Sequence, residues 1–241
     1  MEFLTIYWWR LLLVAVISYL LGSFSFAIIF TKLSKNQDVR TMGSGNAGFT
    51  NVLRSVGVVP AVFTFIFDCL KGVIAVIIAW ALFTQIPDAA IDGLSDSLRF
   101  EYLAYGKYLA GMFCVLGHSF PVFFGFKGGK GVTTMAGILL ILDWRLLALT
   151  LAVFLIFFLC TKIISVGSLA CTVAIVVWNF VITFFLQYLP SQETSDPYRL
   201  SYVLVTTGVM LLIGVFVAVL HRENIKRLIR GEEKKITAKK N

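Results

Sequence analysis

Apolar residues are gathered into long runs near residues 7–31, 57–83, 102–124, 132–142, 146–161, 164–189 and 201–220, with short polar stretches between them. A helix rises 1.5 Å per residue, so about 20 apolar residues cross the roughly 30 Å of bilayer hydrocarbon. Most of the runs meet that length and are predicted to be membrane helices. The run 132–142 covers only about 16 Å as a helix. The stretch Val132 to Cys160, broken at Asp143-Trp144-Arg145, therefore reads either as two short helices or as one kinked or re-entrant element, giving seven spans or five. The first run carries the basic Arg10 near its start and contains Gly22-Ser23, as a cleaved leader would, but it stays apolar to Phe30 and is expected to be a retained helix. The expected fold is all-α: a polytopic membrane bundle of about seven helices, with residues 1–241 as a single domain.

Composition agrees. Of 241 residues, 59% are hydrophobic and 14% charged, against roughly half and a quarter in soluble proteins, and the mean hydropathy is +0.88. A soluble globule, a disordered chain, collagen and a disulfide scaffold are all excluded. Cys69, Cys114, Cys160 and Cys171 lie inside apolar runs without C-x-x-C spacing and are expected to be small buried hydrophobes rather than metal ligands. The net charge of +8 has no soluble basic domain to carry it, so nucleic acid is not an expected partner. Its distribution is more telling. If the runs alternate across a membrane, Lys32, Lys35, Arg40, Arg54, Lys127, Lys130, Lys162 and the basic residues from Arg222 to Lys240 share one side, whereas Arg10, Arg99, Lys107, Arg145 and Arg199 share the other. By the positive-inside rule the C-terminus and the loops 32–56 and 117–131 are cytoplasmic and the N-terminus is outside.

Three cytoplasmic stretches, near 32–56, 117–134 and 221–235, hold most of the polar chemistry. The first contains Gly43-Ser44-Gly45-Asn46-Ala47-Gly48-Phe49-Thr50-Asn51 and Arg54. Its glycines allow close backbone approach, Ser44, Asn46, Thr50 and Asn51 supply neutral donors, and Arg54 a forked cation. The pattern suits an anion and equally suits a plain turn. The second contains His118 and Lys127-Gly128-Gly129-Lys130-Gly131 ahead of a predicted helix. Amides at a helix start beside two lysines are a means of holding phosphate, although the Walker A spacing is absent; the alternative is a glycine hinge. His118 is either a helix-end cap or a ligand. In the third, continued helix would put His221, Asn224 and Leu228 on one face and Arg222, Lys226 and Arg230 on another. Asp68 and Lys71, three apart inside an apolar run, either pair structurally or line a pocket. No metal-ligand cluster, serine-hydrolase elbow or carboxylate pair is present in these stretches, so phosphorylated substrates handled without a metal or other cofactor are expected.

These motifs resemble the bacterial PlsY family of acyl-phosphate-dependent glycerol-3-phosphate acyltransferases. GSGNAGFTNVLR is similar to the first family motif, GHSFPVFFGFKGGKGVTT to the second and HRENIKRLIRGEEK to the third, in the same order. Phe49 and Thr133 stand where the family usually has alanine. The resemblance implies transfer of a fatty acyl group from acyl phosphate to the 1-hydroxyl of sn-glycerol 3-phosphate in the bacterial inner membrane. It also implies a donor supplied by the soluble acyl-phosphate synthase PlsX. Ser44, Arg54, Lys130, His221 and Asn224 are the expected catalytic residues; Gly43, Gly45, Asn46, Thr50, Asn51, His118, Lys127, Gly128, Gly129 and Gly131 are expected to bind substrate. A membrane transporter of an organic phosphate is the alternative, disfavoured by the absence of an internal repeat and by polar motifs at the membrane face rather than the midplane.

Overall fold

The computed structural model describes residues 2–85 and 93–235. The basic Lys239 and Lys240, used above to assign sides, lie outside them. All regular structure among the described residues is helical, and the chain divides into two compact units, Met1–Leu142 and Asp143–Asn241.

The first unit contains α1 (Glu2–Gly22), α2 (Phe26–Lys35), α3 (Phe49–Ser55), α4 (Val58–Thr84), α5 (Asp96–Ser119) and α6 (Val132–Leu142). Helix α1 packs on α5, and α4 packs on α5 and α6. Between lipid-bathed helices there is little hydrophobic drive, so close approach of small residues does the joining. A methyl on Gly22 would strike the Cys114 carbonyl and one on Gly117 the Tyr19 carbonyl; Gly72 and Gly137 play the same part between α4 and α6. Farther along α1, Tyr7 stacks on Phe83 at 4.9 Å and meets Tyr102 edge-on at 5.3 Å.

The second unit contains α7 (Trp144–Thr161), α8 (Ile164–Phe180) and α9 (Leu200–Leu220), followed by α10 (Arg222–Ile229). Helix α8 continues through a π-helical stretch, Val181–Tyr188, into a last turn, Leu189–Ser191. It packs on both α7 and α9, and Gly214 of α9 meets the Thr172 carbonyl of α8.

Among the described residues, six helical segments are long and apolar enough to cross a membrane: Tyr7–Lys35, Val58–Thr84, Asp96–Phe124, Trp144–Thr161, Ile164–Ser191 and Leu200–Leu220; Val132–Leu142 is a shorter apolar helix. The ambiguous stretch is two helices. Asp143 has an extended backbone and caps α7 by accepting from the Arg145 N–H, while its carboxylate grips the Arg145 guanidinium. The first run departs from expectation. It is not one continuous helix but breaks at Ser23–Ser25, because the Phe24 carbonyl turns to accept a bond from Lys71. The cysteines are free, and only Cys114 is fully buried; Cys160 is exposed, a position that hydrocarbon can cover in a membrane protein.

Candidate active site

The first motif loop is organised by Asn51. Its amide donates to the carbonyls of Val39, Met42 and Asn46, each at 3.0 Å, while its oxygen accepts from the Ser44 N–H at 3.0 Å and the Ser55 hydroxyl at 3.3 Å. Both ends of this 2%-exposed side chain are thus used inside the loop. Asn51 shapes the site by holding others in place. Gly43 has a positive φ of 53° and a Cβ there would strike the Asn51 oxygen, so the turn requires glycine. Ser44 and Gly45 face outward, Asn46 and Thr50 are half-buried, and Arg54 projects exposed from the last turn of α3. Phe49, the departure from the family pattern, packs edge-on against Phe65 at 5.7 Å.

The second motif loop doubles back on the end of α5. The N–H groups of Gly128 and Gly129 donate to the carbonyls of Ser119 and His118, each at 3.1 Å. These two N–H groups close the loop on the end of α5. Donors remain at the start of α6, where the first-turn N–H groups of a helix lack partners within it and carry the positive end of its dipole. Lys130 is half-buried just ahead of that start, Lys127 is exposed, and Gly131 adopts φ 79° with Val115 against its Cα.

One side chain that the sequence reading did not single out joins the two loops. Arg40 donates to the Phe124 carbonyl at 2.6 Å and the Lys127 carbonyl at 3.1 Å, and its other nitrogens grip Asp38 at 2.7–3.1 Å. Hydrogen bonds from the Arg40 side chain outweigh the effect of burial and hold the Asp38 carboxyl below its usual range. Farther back, Lys35 caps α3 by donating to the Ser55 carbonyl at 2.9 Å.

Beneath the loops lie Asp68, Lys71 and His118, each at most 4% exposed. Lys71 Nζ is 2.8 Å from Asp68 Oδ1, from the Phe24 carbonyl and from His118 Nδ1. Of the two sequence alternatives for Asp68–Lys71, the structure shows the paired, structural one, and the pair abuts His118 at the end of α5.

The second unit carries its own polar cluster. His221 is the joint between α9 and α10, and its Nδ1 lies 2.8 Å from the Val217 carbonyl. A carbonyl can only accept, so Nδ1 carries a proton. Asn224 shares the buried face, while Arg222, Lys226 and Arg230 are exposed, as the helical spacing predicts. Glu233, another residue missed at first, draws this cluster together. It accepts from Asn224 at 2.6 Å, Ser165 at 2.8 Å and Arg227 at 2.6 Å. Desolvation raises its pKa, but the bonds from Arg227, Asn224 and Ser165 prevail and leave it lowered. Asn224 is thereby oriented from behind.

Within the first unit, then, the structure gathers Gly43, Ser44, Gly45, Asn46 and Asn51 into one loop and links it through Arg40 to the loop bearing Lys127–Gly131, which bonds back to the His118 carbonyl. Within the second, it pairs His221 and Asn224. Among the described residues no group of three or more His, Cys, Asp or Glu side chains is arranged to hold a metal ion.

A family model described as glycerol-3-phosphate acyltransferase matches residues 12–231. A glycerol-3-phosphate acyltransferase from Nostoc sp. is 36% identical over 226 residues, covering 94% of this chain and 92% of its own. Among solved structures, PlsY, an integral membrane glycerol 3-phosphate acyltransferase, in its glycerol 3-phosphate form is 32% identical. It has a TM-score of 0.71 and covers 94% of this chain and 96% of its own. The lysophosphatidic acid form gives a TM-score of 0.68 at 30% identity, with 94% and 95% covered.

Proposed function

The chain belongs to the glycerol-3-phosphate acyltransferase family, and from that premise we propose that it moves a fatty acyl group from an acyl phosphate to the 1-hydroxyl of sn-glycerol 3-phosphate. The products are lysophosphatidate and inorganic phosphate. The observation that carries this reading is the Arg40 link between two anion-suited loops, with Lys130 and the α6 amide terminus beside it.

An activated donor fits a site of cations and amides. The acceptor hydroxyl oxygen bonds to the acyl carbon, the carbon–oxygen bond to phosphate breaks, and the leaving phosphate departs as a stable anion. The hydroxyl proton passes to the acceptor's own phosphate, whose second pKa is about 6. Lys130 and the first-turn amides of α6 stabilise charge on the donor, and Ser44 and Arg54 orient the acceptor. By the family resemblance, His221 and the Asn224 amide bind the acceptor phosphate, and within the second unit Glu233 and the Val217 carbonyl fix their orientation. The family favours catalysis over the transport alternative.

The positive-inside distribution supports a multi-pass protein of the bacterial cytoplasmic membrane with its N-terminus outside and its motif loops in the cytoplasm. Acyl phosphate would then arrive from a soluble synthase of the PlsX kind. The donor claim is tested with purified protein in lipid. Palmitoyl phosphate should acylate glycerol 3-phosphate and palmitoyl-CoA should not; the reverse preference would overturn the donor assignment.

A further inference from the structure

Asp68, Lys71 and His118 have no part in the scheme above, although three buried ionisable groups inside membrane helices are costly to keep. Their geometry fixes a proton. The lysine ammonium has N–H donors and no acceptor; it meets the Phe24 carbonyl and His118 Nδ1 at 2.8 Å and pairs ionically with Asp68 Oδ1 at 2.8 Å. His118 Nδ1 must therefore present a lone pair, and the ring proton sits on Nε2. The Asp68 carboxylate is 3.7 Å from the same Nδ1, too far to claim that proton.

The other edge of the ring meets the glycine loop. A methyl on Gly129 would collide with His118 Nε2 and with the Ala47 carbonyl of the first motif loop. The main chain of His118 also accepts the Gly129 N–H. Nε2 thus stands beside Gly129, next to the Ala47 carbonyl of the first motif loop.

We propose that Asp68 and Lys71 are positioning residues: they hold His118 as its Nε2–H tautomer, so that a donor rather than a lone pair faces a substrate phosphate at the Gly129 loop. This rests on the phosphate-handling role assigned to that loop above. Without Lys71 the carboxylate draws the ring proton to Nδ1, and Nε2 turns a lone pair toward the anion. An ion pair with a purely structural role would change stability and leave the ring proton where it is.

The chain has two histidines, so nitrogen-15 NMR of histidine-labelled protein yields two rings, and the signals absent from His118→Gln belong to His118. In the unaltered protein His118 should show a protonated Nε2 and a bare Nδ1. In Lys71→Met the proton should move to Nδ1, and KM for one substrate should rise about tenfold, the loss of one charge-assisted hydrogen bond, with kcat within about threefold. Measuring KM for glycerol 3-phosphate and for acyl phosphate separately identifies which phosphate the ring serves. Adding Asp68→Asn to Lys71→Met removes the pull toward Nδ1 and should return KM part of the way. A protonated Nδ1 in the unaltered protein overturns the proposal, as does a Lys71→Met protein with unmoved tautomer and KM. Should Lys71→Met fail to fold, the spectrum of the unaltered protein decides the tautomer. A shift of the His118 Nε2 signal on adding glycerol 3-phosphate or acyl phosphate decides the contact, and its absence with both sinks the idea. The tautomer is read without turnover, so a failed acyl-transfer assay would count against the reaction and not against this arrangement.

Discussion

Replacing Arg40 by Gln should loosen the second motif loop without touching a proposed substrate contact. The arginine supplies two charge-assisted bonds to that loop, at 2.6 Å and 3.1 Å. Such bonds contribute roughly 1.5–3 kcal/mol each when shielded. Here the side chain is 28% exposed and the longer bond is weaker, so a total of about 2–3 kcal/mol is reasonable. That corresponds to a shift of roughly 30- to 150-fold in the ratio of ordered to open loop. Substrate affinity falls only by the fraction of molecules left open, so KM should rise about tenfold with a smaller fall in kcat. Hydrogen exchange at residues 120–131 should speed up, whereas exchange in α1 and α5 should not. Arg40→Lys keeps the charge and loses the fork, and belongs between the two. Folded Arg40→Gln with unaltered KM and unaltered exchange would refute the idea that Arg40 joins the loops.

Gly129→Ala puts a methyl into His118 and the Ala47 carbonyl, overpacking that costs about 1–3 kcal/mol; activity should fall tenfold or more, while Gly208→Ala, with nothing within 4 Å, should keep unaltered kinetics. Glu233, with a lowered folded pKa, stabilises the fold above its ordinary value of 4.5, and that contribution is lost as pH falls through the lowered value. Melting in detergent from pH 7 to pH 3.5 should therefore drop more steeply in the unaltered protein than in Glu233→Gln, and equal slopes would contradict the cluster. His221→Gln keeps a hydrogen-bond donor and loses basicity, so KM for glycerol 3-phosphate should carry most of the damage; a kcat fall of about 10² to 10⁴ at constant KM would make His221 the base instead. In a background without native cysteines, Ser34→Cys should resist an impermeant thiol reagent on intact cells and Ser195→Cys should react; the opposite pattern would reverse the orientation.

The long helices were legible because apolar run length is a local property: α4, α9, and α8 taken with its π-helical continuation to Ser191 begin and end within about two residues of the runs that predicted them. The break at Ser23–Ser25 was hidden. It is set by Lys71, 47 positions away, which recruits the Phe24 carbonyl, and nothing in Phe24-Ser25-Phe26 announces such a partner. The motif loops could be located from glycine, asparagine and lysine spacing, but the division of labour inside them could not. Asn51 reads as a free donor until its five hydrogen bonds are seen. The amides of Gly128 and Gly129 read as anion ligands, and their closure on α5 is not visible in the spacing. Arg40 reads only as one of the basic residues of its side and Glu233 is not singled out, although Asp38-x-Arg40 repeats the spacing of the Asp143–Arg145 clasp.

The most direct test of acyl transfer follows every phosphorus species in one tube by NMR, with purified protein in lipid, palmitoyl phosphate and glycerol 3-phosphate. The account predicts that palmitoyl phosphate disappears, inorganic phosphate and acylated glycerol phosphate appear one for one, and nothing changes when glycerol 3-phosphate is left out. Phosphate released equally fast without glycerol 3-phosphate would make the protein a hydrolase and contradict the account.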